Sequence, residues 1–152
     1  MRREAGFTLI EIICVLAIVG ILALLALPFA PHGTSRARLE AYAMAMAALL
    51  TSDRNAAIRG QRRVTASLSL EKRSIKSGYS ANVVQVPADI AFDALLAERC
   101  GGRPSATTID FFPSGMSCGG VIGLRRPGAG FQVRVNWLTG GVEVVPTDKP
   151  QS

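Results

Sequence analysis

The stretch GFTLIEIICVLAIVGILALLALP, residues 6–28, decides how this chain is organised. From residue 7 to residue 27 it carries a single charged side chain, Glu11. As a helix, those residues would extend about 31 Å at 1.5 Å per residue, which matches the hydrocarbon core of a bilayer. Pro28 then interrupts the pattern. The sequence therefore predicts a transmembrane helix and a bend over residues 7–33.

Basic residues precede the apolar stretch. Arg2 and Arg3 lie in the leader, residues 1–6, and basic residues favour the cytoplasmic side of a membrane. The rest of the chain is then expected on the opposite side. Two alternatives stay open at this point: a secretory signal peptide cut at the small residues Gly33-Thr34-Ser35, and a plain signal anchor. Neither alternative accounts for a carboxylate inside the apolar stretch.

The carboxylate of Glu11 calls for a partner. A charged side chain inside the apolar phase costs about 2.5 to 3.5 kcal/mol on insertion scales. If the chain is cut between Gly6 and Phe7, the new amino group supplies a positive charge shortly before Glu11. In an assembly, the amino group of one subunit would meet Glu11 of its neighbour.

The motif Gly6-Phe7-Thr8-Leu9-Ile10-Glu11 resembles the type III signal of type IV pilins and type II secretion pseudopilins. The resemblance implies that prepilin peptidase cuts after Gly6 and that Phe7 is N-methylated. It also implies assembly roles for Phe7, Glu11 and Pro28, the last as a helix-kinking proline. Such proteins lie in the bacterial inner membrane, cross it once, and keep the N-terminus cytoplasmic and the C-terminal domain periplasmic.

Residues 34–60 are predicted to continue the pilin-type helix. Thr34 or Ser35 fits the N-cap, and Gly60 suits the end of the helix. Apolar residues recur there every three or four positions, which predicts a stripe that packs on a sheet. The stripe consists of Leu39, Tyr42, Ala43, Met46, Leu49, Leu50 and Ala57.

Beyond Gly60 apolar and polar residues alternate, which is typical of half-buried strands. Strands are predicted over 64–70, 107–112, 121–124, 131–137 and 142–145, with two apolar runs in 82–93. The fold class is therefore α+β, with a pilin-like long N-terminal hydrophobic helix followed by a small antiparallel β-sheet domain. This domain is expected over 61–146, with a loose tail over 147–152.

The C-terminal half carries a second resemblance. The stretches TTIDFFPSGMSCGGVIGL (107–124) and FQVRVNWLTGGVEV (131–144) are similar to the GspH/FimT pseudopilin family, and NWLTG favours the H-type minor pseudopilin of type II secretion. The resemblance implies a structural subunit at or near the pseudopilus tip that assists export of folded proteins and performs no catalysis. Its implied partners are prepilin peptidase, other minor pseudopilins, the major pseudopilin and, further, the secreted substrate or the outer-membrane channel.

Cysteine and histidine usage argues against a metal or cofactor site. Cys100 and Cys118 lie 18 positions apart (118 − 100) in polar, glycine-rich surroundings, and outside the cytoplasm a disulfide is the natural interpretation. His32 is the only histidine, which leaves no zinc-type cluster and no base for a nucleophilic serine. We therefore expect neither a cofactor nor an active site.

The chain is basic, with 17 Lys and Arg against 11 Asp and Glu and a net charge of +6. Much of this charge lies between residues 54 and 76. The main interpretation is a solvated face whose counter-charge lies on a neighbouring subunit. The alternative is a FimT-like minor type IV pilin that binds DNA for uptake through a basic surface. The residues of this alternative are Arg59, Arg62, Arg63, Lys72, Arg73 and Lys76.

Overall fold

The computed structural model describes residues 8–26 and 35–147. The chain forms two compact units, Met1–Gly33 and Thr34–Ser152. The predicted leader, Phe7, the predicted bend with Pro28, and residues 148–152 lie outside the described residues.

Helix α1 spans Leu9–Ala26 and belongs to the first unit. Its side chains are apolar almost all round, and every described one from Leu9 to Leu22 is exposed. A helix of this kind is stable only where something other than water covers it, such as lipid or neighbouring helices. Among the described helices, none combines the length and the apolarity that a membrane crossing needs.

Helix α2 spans Arg36–Gly60 and begins where the sequence predicts. The Ser35 hydroxyl caps it by accepting a hydrogen bond from the Arg38 amide at 3.2 Å. The helix ends at Gly60, as the sequence predicts, and Gln61 after it takes the left-handed cap conformation at φ 46°. The predicted stripe is confirmed, since most of its side chains are buried. The buried residues of α2 are Leu39, Ala43, Met46, Leu49, Leu50, Asp53, Ala56 and Ala57.

The strands form two antiparallel four-stranded sheets and one small hairpin. The strands are β1 Val64–Ser69, β2 Ser74–Lys76, β3 Val83–Gln85, β4 Ala91–Leu96, β5 Arg99–Cys100, β6 Arg103–Pro104, β7 Thr108–Phe111, β8 Gly120–Arg126, β9 Ala129–Val135 and β10 Val142–Pro146. The first sheet has the order β3-β2-β1-β7, the second has the order β10-β9-β8-β4, and β5 pairs with β6. The α+β fold class, with helices followed by antiparallel sheets, is therefore confirmed.

The two sheets bury their apolar faces against α2, which contacts strands of both. The side chains that form this core are all in the second unit. The first sheet contributes Val64, Ala66, Leu68, Ile75, Ile109 and Phe111, and the second contributes Ile122, Leu124, Phe131, Val133 and Val135. Since the core is complete within Thr34–Ser152, we expect this unit to fold on its own.

Several sequence expectations need correction. Leu70 and Trp137 continue an alternating pattern but are 51% and 62% exposed, because each lies just beyond the end of its strand. Asp93, at the end of the second apolar run in 82–93, lies inside β4, which continues to Leu96, and pairs with Arg125. The short strands β2, β5 and β6 were not predicted, because they are too brief to show a period. Pro127-Gly128 connects β8 and β9 as a tight hairpin.

A buried carboxylate joins α2 to the first sheet. Asp53 is fully buried and accepts hydrogen bonds from the Ser77 hydroxyl, the Gly78 amide at 2.9 Å and the Tyr79 amide at 3.4 Å. Gly78 is required here, because a Cβ atom would lie 2.2 Å from the Thr65 carbonyl oxygen. The loop between β2 and β3 is thus held by one side chain of the helix.

We predict that Asp53→Ala destabilises the isolated domain, residues 34–152, by about 3 kcal/mol, since three donors lose their acceptor and two of them are amides in a tight loop. Asp53→Asn should cost less, because it keeps one acceptor oxygen. Urea denaturation measures both changes.

Asp93→Ala is the matched control, because the Asp93–Arg125 pair is exposed on both sides and should contribute no more than about 1 kcal/mol. Equal losses for Asp53→Ala and Asp93→Ala would contradict the role given to Asp53.

Candidate functional site

The N-terminal unit presents the predicted assembly element. Glu11 lies in the first turn of α1, where the Thr8 carbonyl accepts hydrogen bonds from the amides of Glu11 at 3.0 Å and Ile12 at 3.3 Å. An acid in the first turn is favoured by the helix dipole. Cys14 is a free, exposed thiol on the same helix. Gly6, Phe7 and Pro28 lie outside the described residues, so their roles stay predictions.

A single guanidinium fixes two loops of the globular domain. The Nε–H group of Arg54 on α2 points at the carbonyl oxygens of Gly115, at 3.1 Å, and Thr139, at 3.0 Å. Gly140 packs closely against the Gly115 carbonyl oxygen. Its φ is +63°, and a Cβ atom at this position would lie 2.0 Å from that oxygen. The turn Pro113-Ser114-Gly115 and the loop that contains Thr139 and Gly140 therefore meet at Arg54.

The loop over residues 136–141 is also rigid internally. The Asn136 side-chain oxygen accepts from the amides of Leu138 at 2.9 Å and Thr139 at 3.0 Å, and the Asn136 carbonyl accepts from the Gly140 amide at 2.8 Å. Although it is ordered, the loop holds Trp137 and Leu138 in solvent, at 62% and 55% exposure. The alternating pattern predicts Trp137 in a strand, so the exposed position of its side chain in a loop could not be predicted from the sequence.

Two of the six residues in the predicted DNA-binding set have structural partners. Arg63 lies 3.7 Å from the Asp110 carboxylate and 4.9 Å from the centre of the Phe112 ring. Arg73 donates to the carbonyl oxygens of Pro87 and Ile90. Arg63 thus joins the start of β1 to β7, and Arg73 joins the turn after β1 to the loop between β3 and β4. Both guanidinium groups are therefore engaged within the domain.

The other four residues of that set are exposed, namely Arg59, Arg62, Lys72 and Lys76. They are divided between the end of α2 and the strands that follow it, with Lys72 in a turn and Lys76 in β2. Exposed, separated cations of this kind fit a solvated face as well as they fit a binding surface.

Cys100 and Cys118 are joined by a disulfide, with their Cα atoms 5.7 Å apart. Cys100 is buried in β5, and Cys118 immediately precedes the two glycines that lead into β8. The link attaches the β5–β6 hairpin to the second sheet.

Within residues 8–26 and 35–147, no group of three His, Cys, Asp and Glu side chains is arranged to hold a metal ion.

Comparison with known proteins supports the sequence resemblance. Residues 1–27 match the prokaryotic N-terminal methylation motif. The chain is 28% identical over 151 residues to type II secretion system protein H of Xanthomonas campestris pv. campestris, an alignment that covers 98% of this chain and 88% of that protein. The resemblance to an H-type minor pseudopilin, stated from the sequence, is confirmed.

Solved structures show the same fold. The minor pseudopilin EpsH from the type 2 secretion system of Vibrio cholerae superposes with a TM-score of 0.58 at 12% identity, over 72% of this chain and 98% of that one. The type IV minor pilin FimU of Pseudomonas aeruginosa gives a TM-score of 0.53 at 16% identity, over 78% and 97% of the two chains. At these identities the likeness concerns the fold alone.

We predict that Arg54→Ala destabilises the domain by about 2 kcal/mol, because two loop carbonyls lose a charged donor. Hydrogen exchange should rise in residues 136–141 before it rises elsewhere. Arg59→Ala is the matched control on the same helix, since Arg59 is exposed, and it should change stability by less than about 0.5 kcal/mol. Unaltered exchange in the loop of the Arg54 variant would contradict the predicted role.

We predict that the disulfide contributes about 3 kcal/mol to the domain, because it closes a loop of 18 residues. Residues 34–152 should show no free thiol by mass until they are reduced, and two afterwards. The Cys100→Ser, Cys118→Ser double variant should lose the same stability as the reduced wild type. Two reactive thiols in the untreated protein from the periplasm would overturn the pairing.

Proposed function

We propose that the chain serves as an H-type minor pseudopilin of the type II secretion system, a structural subunit at or near the pseudopilus tip that assists export of folded proteins across the outer membrane. The observation that carries this proposal is the near full-length similarity to a type II secretion system protein H, together with the N-terminal methylation motif. The protein acts by assembly, and it is a substrate of prepilin peptidase.

The two units divide this work. Helix α1, apolar almost all round and exposed, supplies the packing that all subunits of such a fibre share, and Glu11 meets the amino group of a neighbour's first residue. The globular domain supplies specificity through its loops, among them the segment between Cys100 and Cys118. Its partners are other minor pseudopilins and the major pseudopilin.

The methylation motif and the protein H similarity fit a protein anchored in the bacterial inner membrane. We propose the topology that Arg2 and Arg3 favour, with the leader in the cytoplasm and the domain from residue 34 in the periplasm. An oxidising periplasm is also where a disulfide such as Cys100–Cys118 persists.

Capture of DNA through the basic residues is the less favoured function. Arg63 and Arg73 are engaged inside the domain, which reduces the charge available to phosphates. The likeness to FimU concerns the fold and does not favour a pilus over a secretion system.

We predict that deleting the gene in its own host abolishes or strongly reduces secretion of exoproteins. Wild type should restore secretion. Gly6→Val should fail, because the branched side chain blocks cleavage, and Glu11→Ala should be cleaved but fail to assemble, because the charge partner of the amino group is gone. Exoprotein in the medium, DNA uptake and twitching are measured side by side.

Ala5→Ser is the matched control within the leader and should behave as wild type. Normal secretion in the deletion strain, with lost DNA uptake or twitching, would assign the protein to a pilus instead.

A further inference from the structure

The outer face of the second sheet departs from the usual pattern of polar residues toward water. One row runs across all four strands, because Leu95 pairs with Val121, Val121 with Arg134, and Arg134 with Glu143. Leu95 is 77% exposed. Single exposed apolar residues are common on proteins, but contiguous ones mark interaction surfaces.

Trp137 lies beside this row, in the loop that joins β9 to β10. A groove of about 730 Å³ is lined by Val121, Arg134, Trp137 and Glu143, among others. A second groove of about 380 Å³ lies toward Leu95 and shares Val121 and Arg134 with the first. We call the surface formed by Leu95, Val121, Arg134, Trp137 and Glu143 the Trp137 face.

The loop that carries Trp137 is fixed by hydrogen bonds. Arg54 ties this loop to α2, and the Asn136 side chain fixes the backbone of Leu138 and Thr139. A hydrogen-bonded loop therefore carries a large aromatic side chain that is exposed to water. Because the backbone of this loop is already ordered, binding through Trp137 costs less entropy, and tryptophan is among the residues that contribute most to binding at protein interfaces.

We propose that the Trp137 face binds the globular domain of a different pilin-like subunit that is adjacent in the same assembly. This inference rests on the proposed function. The row from Leu95 to Glu143 crosses three strand spacings, about 14 Å, so the face covers on the order of 200–300 Å². A stable complex of free proteins buries about 800 Å² on each partner.

So small a face is effective only toward a partner that is already held nearby. Helix α1, with its exposed apolar side chains, is the element that would bring two subunits together, and tethering raises the effective concentration to the order of millimolar. A second copy of this chain is disfavoured, because two copies with a net charge of +6 repel each other.

The chemistry of the face defines what the partner offers. Trp137 requires an aliphatic socket with an acceptor for its indole N–H group. The Gln132 side-chain oxygen orients Arg134 by accepting hydrogen bonds from the Arg134 Nε at 3.1 Å and Nη2 at 2.9 Å. The remaining guanidinium nitrogen of Arg134, Nη1, favours a carboxylate of the partner. Glu143 beside it favours a Lys or Arg. The opposite charges fix the orientation of the partner rather than its affinity.

The test uses the full chain in its own host. A benzophenone amino acid replaces Leu138, which leaves Trp137 intact. As a control, the same amino acid replaces Tyr79, in the loop between β2 and β3 of the first sheet. Irradiation at position 138 should link the chain to a different protein that carries an N-terminal methylation signal, identified by mass spectrometry. Position 79 should give no such product.

Trp137→Ala should lower the yield of that product at least tenfold and reduce secretion, while the melting temperature of the isolated domain stays within a few degrees. Tyr79→Ala is its matched control, since both aromatics are exposed, at 62% and 53%, and it should change neither yield nor secretion.

The inference is overturned if position 138 gives no product, a product with a second copy of the chain, or a product only with exported or unrelated proteins, in cells whose secretion depends on the gene. If deletion of the gene leaves secretion intact, the proposed function itself fails, and the two failures are thereby distinguished.

Discussion

Helix α2 is the element against which both sheets bury their apolar faces, and the globular domain depends on that contact. Leu39, Met46 and Leu50 on its inner stripe are completely buried. The same helix also carries two consecutive polar residues that reach opposite parts of the domain. Asp53 holds the loop between β2 and β3, and Arg54 holds the loops that follow β7 and β9. One helix therefore sets both the core and the position of the loops.

Helix α1 has the opposite character. Its side chains from Leu9 to Leu22 are exposed, so its stability comes from surroundings other than water, as expected for a segment that enters a membrane or an assembly. The chain thus joins a domain with a core of its own to a helix whose apolar side chains need surroundings other than water. This division explains how one chain combines a shared assembly element with a surface of its own, and why no catalytic group is needed for the proposed role.

The periodic parts of this fold could be predicted from the sequence. The stripe of α2, the alternation in β1 and β9, and the N-cap at Ser35 follow from local patterns. The contacts of Arg54 could not, because its partners lie 61 and 85 positions away along the chain, and locally it looks like one more cation in a basic stretch. Trp137 was misplaced for a related reason: the alternation continues through it, but the Asn136 hydrogen bonds end the strand at Val135.

The central claim is that the chain is processed and assembled as a pseudopilin, and the N-terminus of the mature protein tests it most directly. Protein extracted from the host's membranes would be digested and its N-terminal peptide identified by mass spectrometry. The account predicts a chain that begins at Phe7 and carries one methyl group on its amino nitrogen. A chain that begins at Met1, or one cut after the apolar stretch near residue 35, would contradict it.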